Sequence, residues 1–387
     1  MNTVYYPFSL PSVLFSGIGA VETVGSQVKK YGAKKIMLVT DVSIMKVGIA
    51  NQVKKLIEAE GVYVDVYTDI EPEPSVENLE NAVGIIKKGG YDLLAGVGGG
   101  SVIDSTKVIA ALQTHDAPIR EYIGLNKFVR PGLPTVMLPT TSGTGAEVTI
   151  NAVFKDKAEK LKKVVVSPYL MPTAAIIDPM LTLTVPPGVT AATGLDALTH
   201  AIEAYTAIKS TPQSDLYAVE AIKLIGKSLR SAVGNGRDIT ARYNMSLGSL
   251  FAGIANANAS VGAVHALSYP LGGEFDLPHG VANALMLPHV MEFNFISNVP
   301  KFAMIAKFLG VITEGMSQRD ASDAAVKEVT RLSLDVGVMK PLRDYDIPKE
   351  VLPAWAENVI NTQERLLSNS PRSMRREDAL MIYERAW

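Results

Sequence analysis

Short apolar runs alternate with helical patterns through the first half of the chain. The apolar runs predict buried strands, and their alternation with helices predicts a mostly parallel sheet with helices on its faces. Helical spacing is clear in IANQVKKLIEAEG (49–61) and SVENLENAVGIIKKGG (75–90). The predicted strands are KKIMLVTD (34–41), VYVDVYT (62–68), DLLAGVG (92–98), TVMLPTT (135–141) and AAIIDP (174–179).

The pattern changes after VPPG (185–188), where helical spacing continues almost without interruption and no strand is predicted. We therefore expect an α/β domain over residues 1–185 and an all-helical domain over residues 186–387. Neither half contains a tandem repeat or a low-complexity segment. The helical segments are AATGLDALTHAIEAYTA, SDLYAVEAIKLIGKSLR, ARYNMSLGSLFAGIANA, ASDAAVKEVTRLSLDVG and EDALMIYERAW.

The composition narrows the class of protein. The 387 residues are 47% hydrophobic, as in proteins with large cores, and a net charge of -2 gives no basic field for nucleic acid or an anionic membrane. With no cysteine, any bound metal must have nitrogen and oxygen ligands. The N-terminal segment is a poor signal peptide, and no uncharged apolar run is long enough to span a bilayer. We expect a soluble cytoplasmic protein.

A glycine-rich turn links a predicted strand to a predicted helix in DLLAGVGGGSVIDSTKVIAAL (92–112). Glycines 98 to 100 allow a tight turn and a close approach to a ligand, and Ser101 opens a helix whose free N–H groups favour an anion. The spacing is G-x-G-x-x-S rather than the dinucleotide fingerprint G-x-G-x-x-G. A purely structural turn is the alternative at this position.

A second loop, LPTTSGTGAEVTIN (138–151), also follows a predicted strand. Its hydroxyl groups can either donate to phosphate oxygens or cap the loop's own backbone. Two such loops after two strands of one sheet favour a ligand site, because ligands of open α/β sheets bind at the carboxyl ends of the strands. The hydroxyl residues are Thr140, Thr141, Ser142 and Thr144.

Asp41 ends the first predicted strand, IMLVTD. A carboxylate there can accept hydrogen bonds from a ribose 2′-hydroxyl and would repel a 2′-phosphate, which favours NAD over NADP. The alternative is that Asp41 caps the next helix.

Four polar residues of the helical half form a candidate metal site. Asp196 and His200 are four residues apart and share a helix face, with Glu203 near the same face. His265 and His279 lie in the apolar, glycine-rich segment GAVHALSYPLGGEFDLPHG. One carboxylate and three imidazoles suit a divalent cation, although an Asp/His pair with the spacing of Asp196 and His200 is by itself more often a solvated pair or a polar contact in the core.

The remaining side chains of interest have less specific surroundings. His289 is interpreted as a packing residue and His115 as a surface residue. Tyr269 lies one helical turn after His265. It either packs and forms a hydrogen bond or contributes to proton transfer.

Together these segments resemble the iron-containing (group III) alcohol dehydrogenases, and within them the lactaldehyde reductase (propanediol oxidoreductase) branch. The resemblance implies an N-terminal NAD-binding domain, a C-terminal metal-binding domain, dehydroquinate synthase-like architecture, an active site in the cleft between the domains, and a homodimer or larger assembly. It covers nearly the whole chain and is carried by GGGSVIDSTK, PTTSGTGAEVTIN, DPMLTLTVPPGVTAATGLDALTHAIEAY, VHALSYPLGGEFDLPHGVANALMLPHVM and the closing AW.

The resemblance also implies roles for individual residues. It assigns a metal, Fe²⁺ by the family's name with Zn²⁺ or Ni²⁺ as alternatives, to Asp196, His200, His265 and His279. In the NAD site, Asp41 reads the ribose, Lys162 contacts it, and Asn151 lies where cofactor and substrate meet. The full set of cofactor contacts is Asp41, Gly98, Gly99, Gly100, Ser101, Thr140, Thr141, Ser142, Thr144, Thr149, Asn151 and Lys162.

Tyr269 departs from the family pattern, because many members have a second histidine there that relays the substrate proton. A tyrosine with a pKa near 10 is a poor relay at neutral pH. The H-x-x-S-Y-P segment is also similar to that of the hydroxyacid–oxoacid transhydrogenases. The proton route therefore stays open, with water and the ribose hydroxyls as the alternative.

The expected reaction interconverts a small primary alcohol and its aldehyde: the metal polarises the substrate oxygen, and hydride passes to or from nicotinamide. The sequence shows no cation that must hold a substrate carboxylate, which favours a neutral substrate over a hydroxyacid. The segments around the four ligands contain almost no Lys or Arg, which a lyase would need to hold a phosphorylated substrate. The alternatives are a hydroxyacid–oxoacid transhydrogenase or 4-hydroxybutyrate dehydrogenase and, from another class, a dehydroquinate synthase-like lyase. A non-catalytic nucleotide-binding protein would leave the metal-ligand set unexplained.

Overall fold

The chain folds into two compact units in a computed structural model that describes residues 6–158 and 161–387. One unit comprises Leu10–Val185, and the other comprises Pro186–Trp387 together with residues 6–9.

The first unit alternates strands with helices. Its elements in chain order are β1 (Val13–Ser16), α1 (Val24–Lys30), β2 (Lys35–Val39), α2 (Val42–Lys46), α3 (Ile49–Glu58), β3 (Tyr63–Tyr67), α4 (Val76–Ile86), β4 (Leu93–Gly98), α5 (Gly100–Leu112), β5 (Gly124–Leu125), β6 (Thr135–Pro139), β7 (Asn151–Asp156), β8 (Leu161–Val166) and β9 (Ala174–Ile177).

Six of these strands form one parallel sheet in the order β1-β9-β6-β4-β2-β3. All five strands predicted from the sequence belong to it, and the predicted fold class is confirmed. Strands β2 and β4 are neighbours, but the chain leaves them toward opposite edges of the sheet. Their carboxyl ends therefore form a topological switch point, where open α/β sheets bind ligands.

A second sheet of three strands, β5-β8-β7, is not predicted by the sequence pattern. Strands β7 and β8 pair antiparallel, with Asn151 opposite Val166 and Lys155 opposite Lys162. Asn151 and Lys162, both predicted cofactor contacts, therefore lie in this smaller sheet.

The prediction that His115 is a surface residue is wrong, because its side chain is buried. The ring packs edge-on against Tyr122 and Phe128, with centroids 5.3 and 5.0 Å away, and Nδ1 donates to the carbonyl of Ala111 at 2.8 Å. These aromatic partners come from later in the chain, so the polar neighbours of His115 in sequence give no sign of them.

The second unit is helical throughout residues 186–387, all of which the structure describes. Proline begins α6 and α7, a position where the missing N–H has no intrahelical partner to lose. Helix α6 packs against α7, α8 and α10. The helices are α6 (Pro187–Thr206), α7 (Pro212–Gly234), α8 (Ile239–Ala259), α9 (Ala263–Phe275), α10 (His279–Asn294), α11 (Val299–Phe308), α12 (Gln318–Asp335), α13 (Leu352–Thr362), α14 (Glu364–Leu367) and α15 (Arg376–Ala386).

Among the described residues, no single helix has both the length and the hydropathy to cross a membrane. Helices α8 and α9 meet these criteria only as a pair, and that pair bends by 106° at its break.

Candidate metal and nucleotide sites

Three helices of the second unit bring the four predicted metal ligands together. Asp196 and His200 lie one turn apart on α6, His265 lies in the first turn of α9, and His279 is the first residue of α10. The Asp196 side chain is only 3% exposed, whereas that of His279 is 30% exposed. The cluster is therefore closed on the α6 side and accessible at His279.

The distances between the ligand atoms suit one small ion. Asp196, His265 and His279 each offer a ligand atom within 4.8 Å of the others. His200 joins them through its Nε2, which lies 3.1 Å from Nε2 of His265, and the two rings stack with centroids 4.8 Å apart. One carboxylate and three imidazoles can hold a zinc or iron ion.

Asn283 is a polar member of this cluster that the sequence analysis missed. It lies one turn after His279 on α10 and is completely buried. Its side-chain nitrogen donates to Oδ1 of Asp196 at 2.7 Å and lies 3.1 and 3.2 Å from Nε2 of His265 and His279. An amide in the otherwise apolar run VANALMLP was the signal available in the sequence.

The charges of the cluster fit a divalent cation. Burial raises the pKa of Asp196, but the three histidines and the Asn283 amide outweigh burial and hold it at about 2. A second buried carboxylate, Glu203, contacts His265 and the backbone N–H of Val264. The described contacts of these two buried carboxylates are with imidazoles, an amide and a backbone N–H, and a divalent ion would balance their negative charge.

Tyr269 is partly buried one turn after His265 on α9. Burial raises the pKa of its hydroxyl above 10; the positive charge of Arg365 opposes this shift, and Glu203 adds to it. A phenol with a raised pKa is protonated at neutral pH, so Tyr269 can donate a hydrogen bond but cannot accept a proton there.

The first unit contains the predicted phosphate loop. The glycine turn joins β4 to α5, whose helical residues begin at Gly100, with Ser101 next. The first N–H groups of a helix have no intrahelical acceptor and carry the positive end of its dipole. The start of α5 lies beside the topological switch point of the sheet, where open α/β sheets bind ligands.

The two predicted cofactor loops contact each other. The backbone N–H of Thr140 donates to the carbonyl of Gly98 at 2.9 Å. A Cβ on Gly100 would lie 2.5 Å from Cγ2 of Thr144, so only glycine fits against this threonine. Oγ1 of Thr140 is buried and has no hydrogen-bond partner among the described residues, which fits a ligand that completes the site.

Lys107 of α5 holds the end of the second loop. Its buried ammonium group contacts the carbonyl oxygens of Ala146, Thr149 and Asn151 at 2.9, 3.4 and 2.5 Å and the Asp104 carboxylate at 2.9 Å. The hydroxyl of Thr149 also accepts from Lys107, at 3.1 Å. Thr149 and Asn151 are thus tied to α5 within the unit.

Two further predicted cofactor contacts, Asp41 and Lys162, interact with other residues of the chain. Oδ1 of Asp41 accepts from the backbone N–H groups of Ser43 and Ile44, so the predicted alternative of a helix cap is confirmed. Nζ of Lys162 lies 3.3 Å from Oε1 of Glu73. The second carboxylate oxygen of Asp41 has no hydrogen bond among the described contacts.

Comparison of the sequence with models of known protein families shows which family the chain belongs to. A model of the iron-containing alcohol dehydrogenases matches residues 11–179, and a model of the C-terminal part of the Fe-containing alcohol dehydrogenase family matches residues 190–387. The chain belongs to the iron-containing alcohol dehydrogenase family. The family and enzyme class predicted from the sequence are thereby confirmed, and membership implies a nicotinamide cofactor and a metal.

Individual members of this alcohol dehydrogenase family are similar over almost their whole length. Long-chain-alcohol dehydrogenase 1 of Geobacillus thermodenitrificans is 44% identical over 97% of this chain and 95% of its own. Lactaldehyde reductase of Escherichia coli K12 is 37% identical over 96% of this chain and 97% of its own. The crystal structure of a 1,3-propanediol oxidoreductase superposes with a TM-score of 0.96 at 37% identity, covering 99% of this chain and all of the other.

Proposed function

We propose that this protein is a metal-dependent, NAD(H)-linked dehydrogenase that interconverts a small primary alcohol and its aldehyde. The observation that carries the proposal is the cluster of Asp196, His200, His265 and His279. Fe²⁺ is the proposed ion, and Zn²⁺ or Ni²⁺ would suit the same ligands. When bound, the ion polarises the substrate oxygen and the nicotinamide exchanges hydride with the substrate carbon.

The protein groups hold and orient these components. The four ligand side chains would hold the ion, and the Asn283 amide donates to one oxygen of Asp196. In the other unit, the start of α5 and the hydroxyls of Thr140 and Thr144 would bind the pyrophosphate of NAD. Asp41 would accept from the ribose hydroxyls and disfavour NADP.

The substrate is proposed to be neutral. The described contacts of Asp196 and Glu203 are with imidazoles, an amide and a backbone N–H, so no cation in contact with these carboxylates is available to hold a substrate carboxylate. A small alcohol needs no such cation. The names of the relatives, which include a long-chain-alcohol dehydrogenase and a lactaldehyde reductase, support an alcohol or aldehyde without choosing its length.

A hydroxyacid is the second candidate substrate, and Arg365 is the observation that favours it. This exposed side chain of α14 is close enough to lower the pKa of Tyr269. A guanidinium group near Tyr269 could bind a carboxylate with two hydrogen bonds. Hydroxyacid activity that disappears in Arg365→Ala would support this candidate.

The test is the anaerobic NAD-linked activity of the metal-stripped protein after addition of Fe²⁺, Zn²⁺ or no metal. The substrates are 1,2-propanediol, butanol, a long-chain alcohol and 4-hydroxybutyrate. Metal-dependent NADH formation from a neutral alcohol supports the proposal, and turnover of 4-hydroxybutyrate alone supports the second candidate. Absence of turnover with every metal contradicts hydride transfer.

A matched pair of variants on α10 separates metal binding from folding. His279→Ala removes a ligand that is partly exposed, and His289→Asn changes a histidine further along the same helix. We expect the first variant to lose both bound metal and activity, and the second to retain both.

A homodimer or larger assembly and a cytoplasmic location remain predictions from the sequence.

A further inference from the structure

The buried carboxylate of Glu203 joins α6 to the start of α9. Glu203 lies one turn after His200 and is 7% exposed. Its Oε1 accepts from the backbone N–H of Val264 at 2.7 Å, and its Oε2 accepts from Nδ1 of His265 at 2.5 Å. One side chain therefore contacts both the backbone and the imidazole of consecutive residues.

This contact determines which ring nitrogen of His265 carries the proton. A carboxylate can only accept, so Nδ1 of His265 must be the donor. Nε2 is then free of a proton in the neutral ring, and its lone pair faces the amide nitrogen of Asn283, a donor 3.1 Å away. Contacts at both ring nitrogens thus select the tautomer whose Nε2 can bind a cation.

The close approach of α9 to Glu203 depends on the residue before the helix. A Cβ on Gly262 would lie 2.8 Å from Oγ of Ser370 and 3.3 Å from Oε1 of Glu203. Ser370 accepts from the backbone N–H of Ala263 at 2.8 Å. Two neighbouring N–H groups of the first turn are therefore capped by two different side chains, of which only Glu203 also contacts His265.

We propose that Glu203 is a positioning residue for the metal site: by accepting from Nδ1 it orients His265 and keeps Nε2 unprotonated for the cation. This inference rests on the proposed metal site. Carboxylates that hold a metal-binding histidine in this way contribute about 10- to 100-fold to metal affinity. Glu203 also supplies the second negative charge beside a divalent ion.

Glu203→Gln separates this role from helix capping. The glutamine carbonyl can still accept from Val264, but its NH₂ group faces Nδ1 of His265 and favours the opposite tautomer. The matched control is Ser370→Ala, which removes the neighbouring cap and leaves His265 untouched. The measurement is the affinity of full-length, metal-stripped protein for Zn²⁺, by competition with a chelator, together with urea unfolding of the metal-free proteins.

We expect Glu203→Gln to bind Zn²⁺ about 10- to 100-fold more weakly than wild type, while its metal-free unfolding midpoint changes no more than that of Ser370→Ala. Zn²⁺ should bind Ser370→Ala as it binds wild type. Equal affinity of Glu203→Gln and wild type overturns the inference, and so does an equal loss in Ser370→Ala. A wild-type protein that binds no Zn²⁺ instead contradicts the proposed function.

A second measurement uses only the wild-type protein, so it does not depend on whether a variant folds. Nitrogen-15 chemical shifts of the imidazoles in the metal-free wild-type protein report which ring nitrogen of His265 is protonated. A proton on Nδ1 is the expected result, and a proton on Nε2 overturns the inference whatever the metal affinities.

Discussion

Gly280 of α10 lies directly against the carbonyl of Ala192 in α6, where an added Cβ would be 2.3 Å from the oxygen. The same Cβ would lie 3.3 Å from Cβ of Asp196. Because His279 precedes Gly280, this contact sets the distance between two of the proposed metal ligands.

Gly280→Ala should therefore push α10 away from α6. We expect a loss of about 1–3 kcal/mol in the free energy of unfolding, as for other overpacked sites, and weaker metal binding. Gly188→Ala is the control, since Gly188 lies in α6 with open space around its Cα and an ordinary helical backbone. Urea unfolding and Zn²⁺ titration of both variants test this, and equal behaviour of the two would contradict it.

Asp41→Asn should change the cofactor preference without loosening α2. Asparagine can still accept from Ser43 and Ile44, while the charge that would repel a 2′-phosphate is gone. We expect kcat/KM for NADP to rise by about tenfold relative to NAD, equivalent to ~1.4 kcal/mol. Asp41→Ala serves as the comparison, because it also loses the cap at a cost of about 1 kcal/mol. If the ratio of kcat/KM for NADP to that for NAD is unchanged in both variants, Asp41 does not contact the ribose.

Tyr269→Phe should leave the reaction close to wild type. The raised pKa keeps the hydroxyl protonated at neutral pH, so it cannot serve as the base that removes the substrate proton. We expect kcat/KM to change by less than about threefold and its pH profile to keep its shape. A fall of about 100-fold, with loss of one limb of the profile, would show that the hydroxyl takes part in proton transfer.

Glu147→Gln should alter how stability depends on pH. Burial raises the pKa of Glu147 from 4.5 to about 7. The native state therefore binds more protons than the unfolded state between these values, so the contribution of Glu147 is complete below pH 4.5 and is lost as pH rises through 7. The glutamine variant should lack this decline, which amounts to up to about 3 kcal/mol. Urea unfolding at pH 5 and pH 8 measures the difference, and parallel declines in both proteins would exclude Glu147 as its cause.

The main sheet was predictable because its central strands are buried on both faces. Runs such as IMLV and LLAGV are apolar throughout. In an α/β domain, a short continuous apolar run is typical of a strand that is buried on both faces. The edge strand β1 has only four residues, two of them exposed. Strands β7 (NAVFKD) and β8 (LKKVVV) mix apolar and charged residues without a regular alternation, which is also typical of an exposed loop. Their pairing depends on tertiary contacts that no local pattern records.

The candidate metal site was predictable in its ligands but not in the groups around them. Asp196 and His200 share a helix face, and histidines are rare enough in this chain for each to be noticed. The Asn283 amide and the Glu203 carboxylate act mainly through contacts between α6, α9 and α10: Glu203 contacts Val264 61 residues away, and Asn283 contacts Asp196 87 residues away, although His279 is only four residues before Asn283. Helix spacing alone cannot assign such partners.

Lys107 binds the second cofactor loop mainly through backbone carbonyls, which every amino acid possesses. These carbonyl contacts do not depend on the identity of the residues that supply them. The three carbonyl acceptors persist when a side chain of this loop is exchanged, whereas a change at Thr149 removes a hydroxyl that also accepts from Lys107. Lys107, itself paired with Asp104, thereby holds the backbone of the loop through groups that a side-chain substitution leaves in place.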